Sequence, residues 1–459
     1  MKLRPYQQEV AKAVVDSIQH GKGLTFSVEM ARQGGKNELS AHLELLLLTL
    51  YMARGGSIVK CSPTFKPQTI ISMQRLRERL DEFGFDGIYR TEMGYIITLG
   101  AARAIFLSAE ETASVVGHTA DILLEIDECQ DVSKEKFTKE FRPMASPTNA
   151  TSVHYGTTWD DATLLEEIKQ TNLELEKKDG IKRHFRADWQ EVGKYNPDYL
   201  NFVEAERNRL GESHPLFRTQ YALLPIRGGG GFLSRQQIVL MLGTHLRLQE
   251  PQDSKMPYIA GIDLAGEKEE DRQTALMSAK PKLDSTVITI AEVDTIQRSH
   301  LNLVEPTARV VEQYQWTGIP HSQLYPQMVD ILKKWNCQKV VVDATGIGQP
   351  VASFLKKQFG YRIVPFVFTQ KSKSDLGFEL LSFINSGRLK LYQQDGSPEY
   401  RELMLELEKA KAQYRPNQTM NFFVDPSEGH DDFLSSLALV VQGAKDFKPR
   451  LVKEVVRHD

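Results

Sequence analysis

The segment EMARQGGKNE, residues 29–38, nearly matches the phosphate-binding loop G-x-x-x-x-G-K-[ST]. Gly35 and Lys36 fit the motif, whereas Met30 replaces its first glycine and Asn37 replaces the hydroxyl residue that helps to hold Mg²⁺. In such a loop, N–H groups at the start of a helix bind phosphates with help from the helix dipole, and the lysine reaches the β and γ phosphates. Taken alone, the segment fits a polar turn equally well.

An acidic pair closes the apolar run in DILLEIDECQD, which is the pattern of a Walker B motif. Asp127 would then hold Mg²⁺ through water, and Glu128 would polarise the water that attacks the γ-phosphate. At the end of the next predicted strand, the hydroxyls of Thr157 and Thr158 in YGTTW could sense that phosphate. An acidic turn and an ordinary strand end are the alternatives, but the motifs in this order favour nucleotide hydrolysis.

The N-terminal segment LRPYQQE precedes the phosphate-binding loop and offers groups that suit a base. Tyr6 can stack on an adenine ring, and the amide of Gln7 can pair with the edge of that ring, which would favour ATP. The alternative for this segment is the start of an ordinary amphipathic helix.

Four aspartates in the C-terminal half suit a second reaction, the cleavage of a phosphodiester with two metal ions. They are Asp263 in AGIDLAG, Asp343 in VVVDATG, and Asp431 and Asp432 in GHDDFLSS, with Asp271 in EEDRQTAL as an auxiliary candidate. Each alone is also explained as an aspartate after a strand or at a helix N-cap. Oxygen ligands without a Cys or His cluster favour Mg²⁺ or Mn²⁺ over zinc.

Two different sheets are needed to position these groups. In residues 1–225, buried strands alternate with helices, which predicts a mostly parallel sheet with helices on both faces. Ligands of such sheets bind at the carboxyl ends of the strands, where the candidate residues of this half fall. Residues 160–225 are predicted to form a helical lid or subdomain of the same domain.

The glycine run in PIRGGGGFLS cannot lie inside a stable helix or strand, so residues 226–256 are predicted to be a glycine-rich linker. In residues 257–459, the segments YIAGIDLAG, QTALMSAK and STVITIAEVD predict three successive antiparallel strands. Alternating helices and strands follow them, and the last element is a helix. This order predicts a ribonuclease H-like α/β domain.

Composition limits the function classes. The chain is 41% hydrophobic and 25% charged, and its net charge is −3, so any DNA-binding face must be a local patch such as FLKKQFGYR or FTQKSKSD. Solvated surface is the alternative for both stretches. Three dispersed cysteines without C-x-x-C argue against a disulfide framework and a structural zinc site. The most apolar run, LELLLLTLYMA, is too short to span a membrane, and MKLRPYQQEV lacks the apolar core of a signal peptide.

Together these motifs resemble the large terminase subunit of tailed bacteriophages, the motor and nuclease that packages viral DNA. The resemblance covers nearly the whole chain and rests on RPYQQE, ARQGGKN, ILLEIDE, YGTT, the glycine run, GIDLAG, VVVDATGIGQP and HDDFLSSLAL. It implies an ASCE or RecA-like P-loop ATPase that drives translocation of double-stranded DNA, followed by a ribonuclease H-like endonuclease that cuts concatemeric DNA. ATP with Mg²⁺ and two Mg²⁺ or Mn²⁺ ions are the implied cofactors.

The resemblance also adds roles for single residues. The complete predicted nucleotide-binding set is Tyr6, Gln7, Arg32, Gln33, Gly34, Gly35, Lys36, Asn37, Asp127, Thr157 and Thr158, and the catalytic set is Glu128, Asp263, Asp343, Asp431 and Asp432. Many relatives have Ser or Thr at the position of Asn37, which leaves the direct Mg²⁺ contact open. Relatives often carry an arginine ahead of the Walker B strand, where this chain has SVVGHTAD, so the motif assigns no trans-acting arginine finger here. Arg142 is named as a candidate without support from a motif.

The implied partners are double-stranded DNA, the portal protein of the procapsid and the small terminase subunit. A ring of subunits on the portal is implied, and a monomer in solution stays open. The implied location is the cytoplasm of the infected bacterial host, and the protein is not expected in the mature virion. A repair helicase-nuclease would need a second RecA-like domain, for which residues 160–225 are too few. A non-catalytic, nucleotide-gated assembly protein is the other alternative, and Asn37 is its best support.

Overall fold

The computed structural model describes the chain except for residues 1, 111, 114, 116, 227–229, 253–255, 266–284, 296–305, 347, 416 and 448–459. The chain divides into two compact units, of which the first comprises Met1–Glu206 and Pro215–Gly228 and the second comprises Arg207–His214 and Gly229–Asp459. Residues 207–214 thus group with the second unit, although the chain then returns to the first. The domain boundaries predicted at 225 and 256 stay a prediction.

The first unit is built on one sheet. Its strands are β1 (Thr25–Met30), β2 (Gly56–Ser62), β3 (Arg90–Glu92), β4 (Ile96–Leu99), β5 (Ala102–Ser108), β6 (Leu123–Ile126), β7 (Thr151–Gly156) and β8 (His184–Ala187). They form an eight-stranded sheet in the order β3-β4-β5-β2-β6-β7-β1-β8. In this sheet order, every neighbouring pair from β5 through to β8 at the far edge is parallel, whereas β3 pairs antiparallel with β4 and β4 pairs antiparallel with β5. The prediction of a mostly parallel sheet is confirmed.

Helices connect and cover these strands. They are α1 (Pro5–Gln19), α2 (Lys36–Tyr51), α3 (Ile70–Glu82), α4 (Lys134–Lys136), α5 (Leu164–Asp179), α6 (Trp189–Gly193), α7 (Pro197–Leu210) and α8 (Pro215–Gln220). The segment predicted as a helical lid, residues 160–225, contains α5 to α8 and also the edge strand β8. It therefore contributes to the sheet itself, because β8 pairs with β1.

The second unit contains two sheets. Its strands are β9 (Gly230–Gly231), β10 (Tyr258–Asp263), β11 (Ser285–Asp294), β12 (Thr307–Thr317), β13 (Lys339–Asp343), β14 (Ile363–Phe366), β15 (Leu389–Lys390), β16 (Lys411–Tyr414) and β17 (Met420–Phe423). The larger sheet has six strands in the order β14-β13-β10-β11-β12-β15, and the smaller has three in the order β17-β16-β9.

The predicted antiparallel start of this unit is observed in the described residues. β10, β11 and β12 pair antiparallel in succession, and β13 and β14 then add parallel strands beside β10. The segment QTALMSAK, predicted as the second strand, lies outside the described residues. The strand that follows STVITIAEVD in the structure is β12, which the sequence pattern did not reveal.

The helices of the second unit are α9 (Arg235–Met241), α10 (His321–Lys334), α11 (Gly348–Phe359), α12 (Gln370–Asn385), α13 (Pro398–Lys409) and α14 (Asp432–Ala444). Nearly every residue of α14 is buried, since this helix is apolar around most of its circumference and packs on β10 and β11. No helix within the described parts of the chain is long and apolar enough to cross a membrane.

The contact between α14 and β10 depends on a glycine. A Cβ atom added at Gly261 would lie 2.7 Å from the backbone nitrogen of Val440 and 3.1 Å from the carbonyl carbon of Leu439. Backbone atoms cannot move aside as a flexible side chain can. The hydroxyl of Ser436 closes the same contact by donating to the carbonyl oxygen of Gly261 at 2.9 Å.

We therefore expect Gly261→Ala to lower the free energy of unfolding of the second unit by about 2–3 kcal/mol, the upper part of the range for overpacking. Urea denaturation measures this change, and hydrogen exchange of β10 peptides assigns it to the second unit. Gly443→Ala in α14 is the matched control. Its Cβ would meet Ile259 and Val341 at 3.4 Å, which is ordinary contact, so it should leave stability unchanged or raise it.

Candidate functional site

The candidate phosphate-binding loop connects β1 to α2 through two residues in the left-handed region. Gln33 has φ 62°, and Gly35, directly before α2, has φ 93°. A Cβ atom at Gly35 would also approach Nε2 of Gln7 to 2.6 Å, so both the backbone angle and the surroundings favour glycine here. The chain then enters the 16-residue helix α2, whose first N–H groups have no helical acceptors and suit phosphate oxygens.

The side chain of Lys36 joins the ends of two other strands. Its Nζ donates to Oγ1 of Thr157 at 2.7 Å and lies 3.4 Å from Oε1 of Glu128. This follows from the strand order, because β7 lies between β1 and β6. Thr157, at the end of β7, is therefore placed between the phosphate-binding loop and the acidic pair. Three groups that the sequence placed at separate strand ends are brought together.

Glu128 has an unusual backbone and an ionised carboxyl. Its φ is 43°, which is uncommon for a residue with a side chain, and such angles occur often at functional sites. Burial raises the pKa of its carboxyl, but Lys36, a hydrogen bond from Gln130 and Arg32 together hold that pKa below the usual value. The group is thus a carboxylate at neutral pH, as polarisation of a water requires.

Asp127 lies beside Glu128 and is buried. Its Oδ1 accepts the backbone N–H of Glu128 at 3.0 Å, and its own N–H donates to the carbonyl oxygen of Cys61 at 2.8 Å. Burial raises the pKa of Asp127, while Lys60 and Lys36 act in the opposite direction. A carboxylate with this burial gains from a nearby cation, so its chemistry fits the predicted role as an Mg²⁺ ligand.

Tyr6 and Gln7 contact the phosphate-binding loop itself. The hydroxyl of Tyr6 donates to the carbonyl oxygen of Gly34 at 2.8 Å, and Nε2 of Gln7 donates to that of Gly35 at 2.9 Å. Oε1 of Gln7 accepts the backbone N–H of Arg4 at 2.8 Å. Both atoms of the Gln7 amide are therefore engaged within the chain. The predicted adenine contacts of these two residues stay predictions, and the structure adds a second role, support of the loop.

The remaining predicted nucleotide residues lie on or beside the loop. Arg32 and Gln33 are exposed, and Asn37 is half-buried in the first turn of α2. Nη1 of Arg32 donates to Oε1 of Gln220 at 2.7 Å, and the hydroxyl of Tyr199 donates to the carbonyl oxygen of Arg32 at 3.0 Å. Neither partner could be inferred from the sequence, because both come from the segment predicted as a lid. Arg142 is exposed, and its predicted role as an arginine finger stays a prediction.

Thr158 belongs to a buried polar cluster that the sequence did not reveal. Its hydroxyl donates to Oε1 of Glu29 at 2.8 Å, and Nζ of Lys169 lies 3.3 Å from the same oxygen. Lys169 also lies 2.5 Å from Oε2 of Glu166 within α5. Gln130 makes a similar link on the other side, since it accepts the N–H of Thr157 at 3.1 Å and donates to Glu128 at 2.9 Å. The threonine pair is thus tied both to α5 and to the acidic pair.

The candidate nuclease residues lie at one edge of the six-stranded sheet. Asp263 ends β10 and Asp343 ends β13, and these strands are parallel neighbours in which Ile262 is opposite Val342. Asp432 reaches the same edge, because its Oδ2 accepts the N–H of Ser285 at 2.7 Å, at the start of β11. Asp431 precedes α14.

The pKa of Asp263 reflects the number of acidic side chains near this edge of the sheet. Burial raises the pKa of Asp263 well above its usual value, and the neighbouring carboxylates raise it further, in the order Asp432, Asp343, Asp431 and Glu406. Such a group of hard oxygen donors fits a divalent cation such as Mg²⁺ or Mn²⁺. The predicted ligand chemistry therefore fits the residues present.

The structure does not by itself define a closed metal site here. Among the residues that the structure describes, no group of three or more His, Cys, Asp or Glu side chains is arranged to hold an ion. Asp271, the auxiliary candidate, lies outside the described residues. The assignment of Asp263, Asp343, Asp431 and Asp432 as metal ligands stays a proposal.

Glu406 on α13 is a further residue of this edge that sequence reasoning missed. Its Oε2 accepts the N–H of Leu434 in the first turn of α14 at 2.8 Å, while Asp431 provides no side-chain cap for that helix. The pKa of the Glu406 carboxyl is raised to about 9, mainly by burial. Glu406 thus acts as the N-cap acceptor from a neighbouring helix, so α14 does not need the Asp431 side chain as its cap.

Removal of this acceptor should destabilise the second unit. We expect Glu406→Ala to lower its free energy of unfolding by about 1–3 kcal/mol, because the N–H of Leu434 is buried and would lose its partner. Glu406→Gln keeps an acceptor oxygen of the same size and should stay close to wild type. Urea denaturation of the metal-free protein compares the two variants. Equal loss in both would show that the hydrogen bond to Leu434 is not what stabilises α14.

Comparison with known proteins finds similarity to the large terminases of bacteriophages. Residues 283–442 match the family model described as "Terminase RNaseH-like domain". The large terminase of a thermophilic bacteriophage aligns with 96% of this chain and 99% of its own, at 11% identity and a TM-score of 0.54. The complex of that terminase with ADP gives the same coverage and identity with a TM-score of 0.52.

The large terminase of bacteriophage HK97 aligns with 96% of this chain and 95% of its own, at 16% identity and a TM-score of 0.41. No curated protein sequence matches the chain. At these identities the two structures from the thermophilic phage establish a shared fold. The predicted fold class, an α/β ATPase-type domain followed by a ribonuclease H-like domain, is confirmed.

Proposed function

We propose that the chain is a viral DNA-packaging motor, because residues 283–442 match the family model of a terminase RNase H-like domain and the chain shares the fold of a phage large terminase. In this proposal, ATP hydrolysis in the first unit drives translocation of double-stranded DNA into the procapsid, and the second unit cuts concatemeric DNA. The observation that carries the proposal is the convergence of Lys36, Thr157 and Glu128 at the strand ends of the first unit.

In the ATPase reaction, each residue acts through the position that the fold gives it. Lys36 binds the β and γ phosphates together with the N–H groups of the first turn of α2. Glu128, held ionised by Lys36, orients and polarises the attacking water. Thr157 stands between them and is placed to contact the γ-phosphate. Asp127 and Asn37 would hold the Mg²⁺ that is bound with ATP, and this ion would neutralise phosphate charge.

In the nuclease reaction, Asp263, Asp343 and one or both of Asp431 and Asp432 would hold the divalent ions. Bound Mg²⁺ or Mn²⁺ ions supply an activated water and neutralise charge on the phosphodiester. The four acidic side chains at the sheet edge favour the binding of cations there. Ser285 keeps Asp432 directed to this edge through its backbone N–H.

A ring of subunits on the portal protein is the proposed working assembly, with the small terminase subunit as a further partner. The proposed location is the cytoplasm of the infected host. A nucleotide-gated assembly protein without hydrolysis is the second candidate. It is favoured by Asn37, which replaces the hydroxyl residue of the motif next to Lys36.

One preparation of the full chain tests the proposal. We expect steady-state phosphate release from ATP, increased by double-stranded DNA, and Mn²⁺-dependent cleavage of plasmid DNA by the same protein. Equilibrium binding of a fluorescent ATP analogue is measured in parallel. Tight binding without phosphate release, with or without DNA, would instead favour the assembly protein.

A further inference from the structure

Lys373 lies at the carboxylate edge of the second unit, in the first turn of α12. The start of this helix is fixed to the turn that carries Asp343 by two hydrogen bonds. The N–H of Phe368 donates to Oγ1 of Thr345 at 2.9 Å, and the N–H of Ala344 donates to the carbonyl oxygen of Phe366 at 2.7 Å. Thr345 in turn donates its own N–H to Oδ1 of Asp343 at 2.8 Å. The position of α12 is therefore tied to a predicted metal ligand.

The ammonium group of Lys373 is held at this edge by three contacts. Its Nζ lies 3.5 Å from Oδ2 of Asp431, 5.1 Å from the centre of the Phe422 ring and 6.0 Å from that of Phe368. The side chain is a quarter exposed, so the group is confined by aromatic faces while solvent can still reach it.

A cation in this place has consequences for metal binding. An ammonium beside Asp431 competes with a divalent ion for the same carboxylate and repels an ion bound by Asp343. A pair this exposed contributes little to stability. The arrangement is explained if the ammonium has a different anion to bind once ions occupy the carboxylates, and the phosphodiester cut at this edge is such an anion.

We propose that Lys373 is a DNA-binding residue of the nuclease site, whose ammonium leaves Asp431 and binds a non-bridging phosphate oxygen of the strand to be cut. This inference rests on the proposed nuclease function. Lys373 contributes one charge-assisted hydrogen bond to the phosphate and none to the metal ions. Removing it should therefore weaken cleavage and, at the same time, strengthen metal binding.

The test compares Lys373→Gln with Lys373→Arg and with Lys333→Gln, an exposed lysine of α10 that serves as the matched charge control. Mn²⁺ affinity of the full chain is measured by calorimetry without DNA, and plasmid cleavage is measured at saturating Mn²⁺ over a range of DNA and salt concentrations. We expect Lys373→Gln to cleave about 10–100-fold less efficiently, mainly through a higher KM for DNA. The salt dependence of its DNA binding should correspond to about one phosphate contact fewer than in wild type.

The same variant should bind Mn²⁺ more tightly than wild type. Lys373→Arg should keep most of the cleavage and Lys333→Gln all of it. Weaker Mn²⁺ binding together with weaker cleavage in Lys373→Gln would show a structural role and overturn the inference, as would cleavage at the wild-type rate. If the wild-type protein binds no Mn²⁺ and cuts no DNA, the proposed nuclease function itself fails, and this inference fails with it.

Discussion

Lys36→Ala is expected to lower ATP hydrolysis by at least about 100-fold, the usual loss when one group that stabilises a transition state is removed. Nζ of Lys36 contacts both Thr157 and Glu128. Its loss removes a phosphate contact and also a positive charge that, with Gln130 and Arg32, holds the pKa of Glu128 below its usual value. Steady-state phosphate release from the wild-type protein and the variant measures the effect.

A second variant separates binding from chemistry at this site. Glu128→Gln keeps the size of the side chain but cannot polarise the attacking water, so hydrolysis should fall while nucleotide binding is retained. Lys36→Ala should lose both. The matched control is Lys12→Ala on the exposed surface of α1, which should hydrolyse ATP at the wild-type rate. Unchanged hydrolysis in Lys36→Ala would contradict the assignment of this loop to ATP.

Asp263→Asn is expected to reduce Mn²⁺-dependent DNA cleavage by more than about 100-fold. Replacing a residue that only orients a metal ligand often lowers metal affinity or activity by about 10–100-fold. Asp263 is a proposed ligand itself, so its replacement should have a larger effect. The same change should raise the stability of the metal-free second unit. Asp263 is buried, and its neighbours Asp432 and Asp343 repel its charge, so a neutral amide relieves an unfavourable interaction. Activity and stability should therefore change in opposite directions.

Plasmid cleavage and urea denaturation in the presence of EDTA measure the two effects on one preparation. ATP hydrolysis serves as an internal control, because Asp263 lies in the second unit and the phosphate-binding loop in the first. Asp330→Asn, an exposed carboxylate of α10, is the matched charge control and should change neither property. Cleavage by Asp263→Asn at the wild-type rate would remove Asp263 from the nuclease site.

Local sequence patterns predicted the sheet of the first unit well, because parallel strands covered on both faces are continuously apolar and end in polar turns. β12 was missed because it lacks this continuous apolar pattern. Its sequence TARVVEQYQWT contains charged and amide side chains, which locally indicate an exposed segment. In the structure Glu312 is buried against Arg247, and Arg309 pairs with Glu292 on β11. Partners on β11 and outside the sheet neutralise the charges that concealed the strand.

The sequence by itself determined which chemical groups stand at the strand ends, since strand length, glycine turns and acidic pairs are encoded within a few neighbouring residues. Lys36, Glu128, Thr157, Asp263 and Asp343 were all found in this way. Tertiary structure decided which groups contact one another: Tyr6 and Gln7 on the phosphate-binding loop, Thr158 with Glu29 and Lys169, Glu406 on α14, and Lys373 beside Asp431. These contacts join residues far apart in the chain, and they depend on strand order and helix packing, which no local pattern contains.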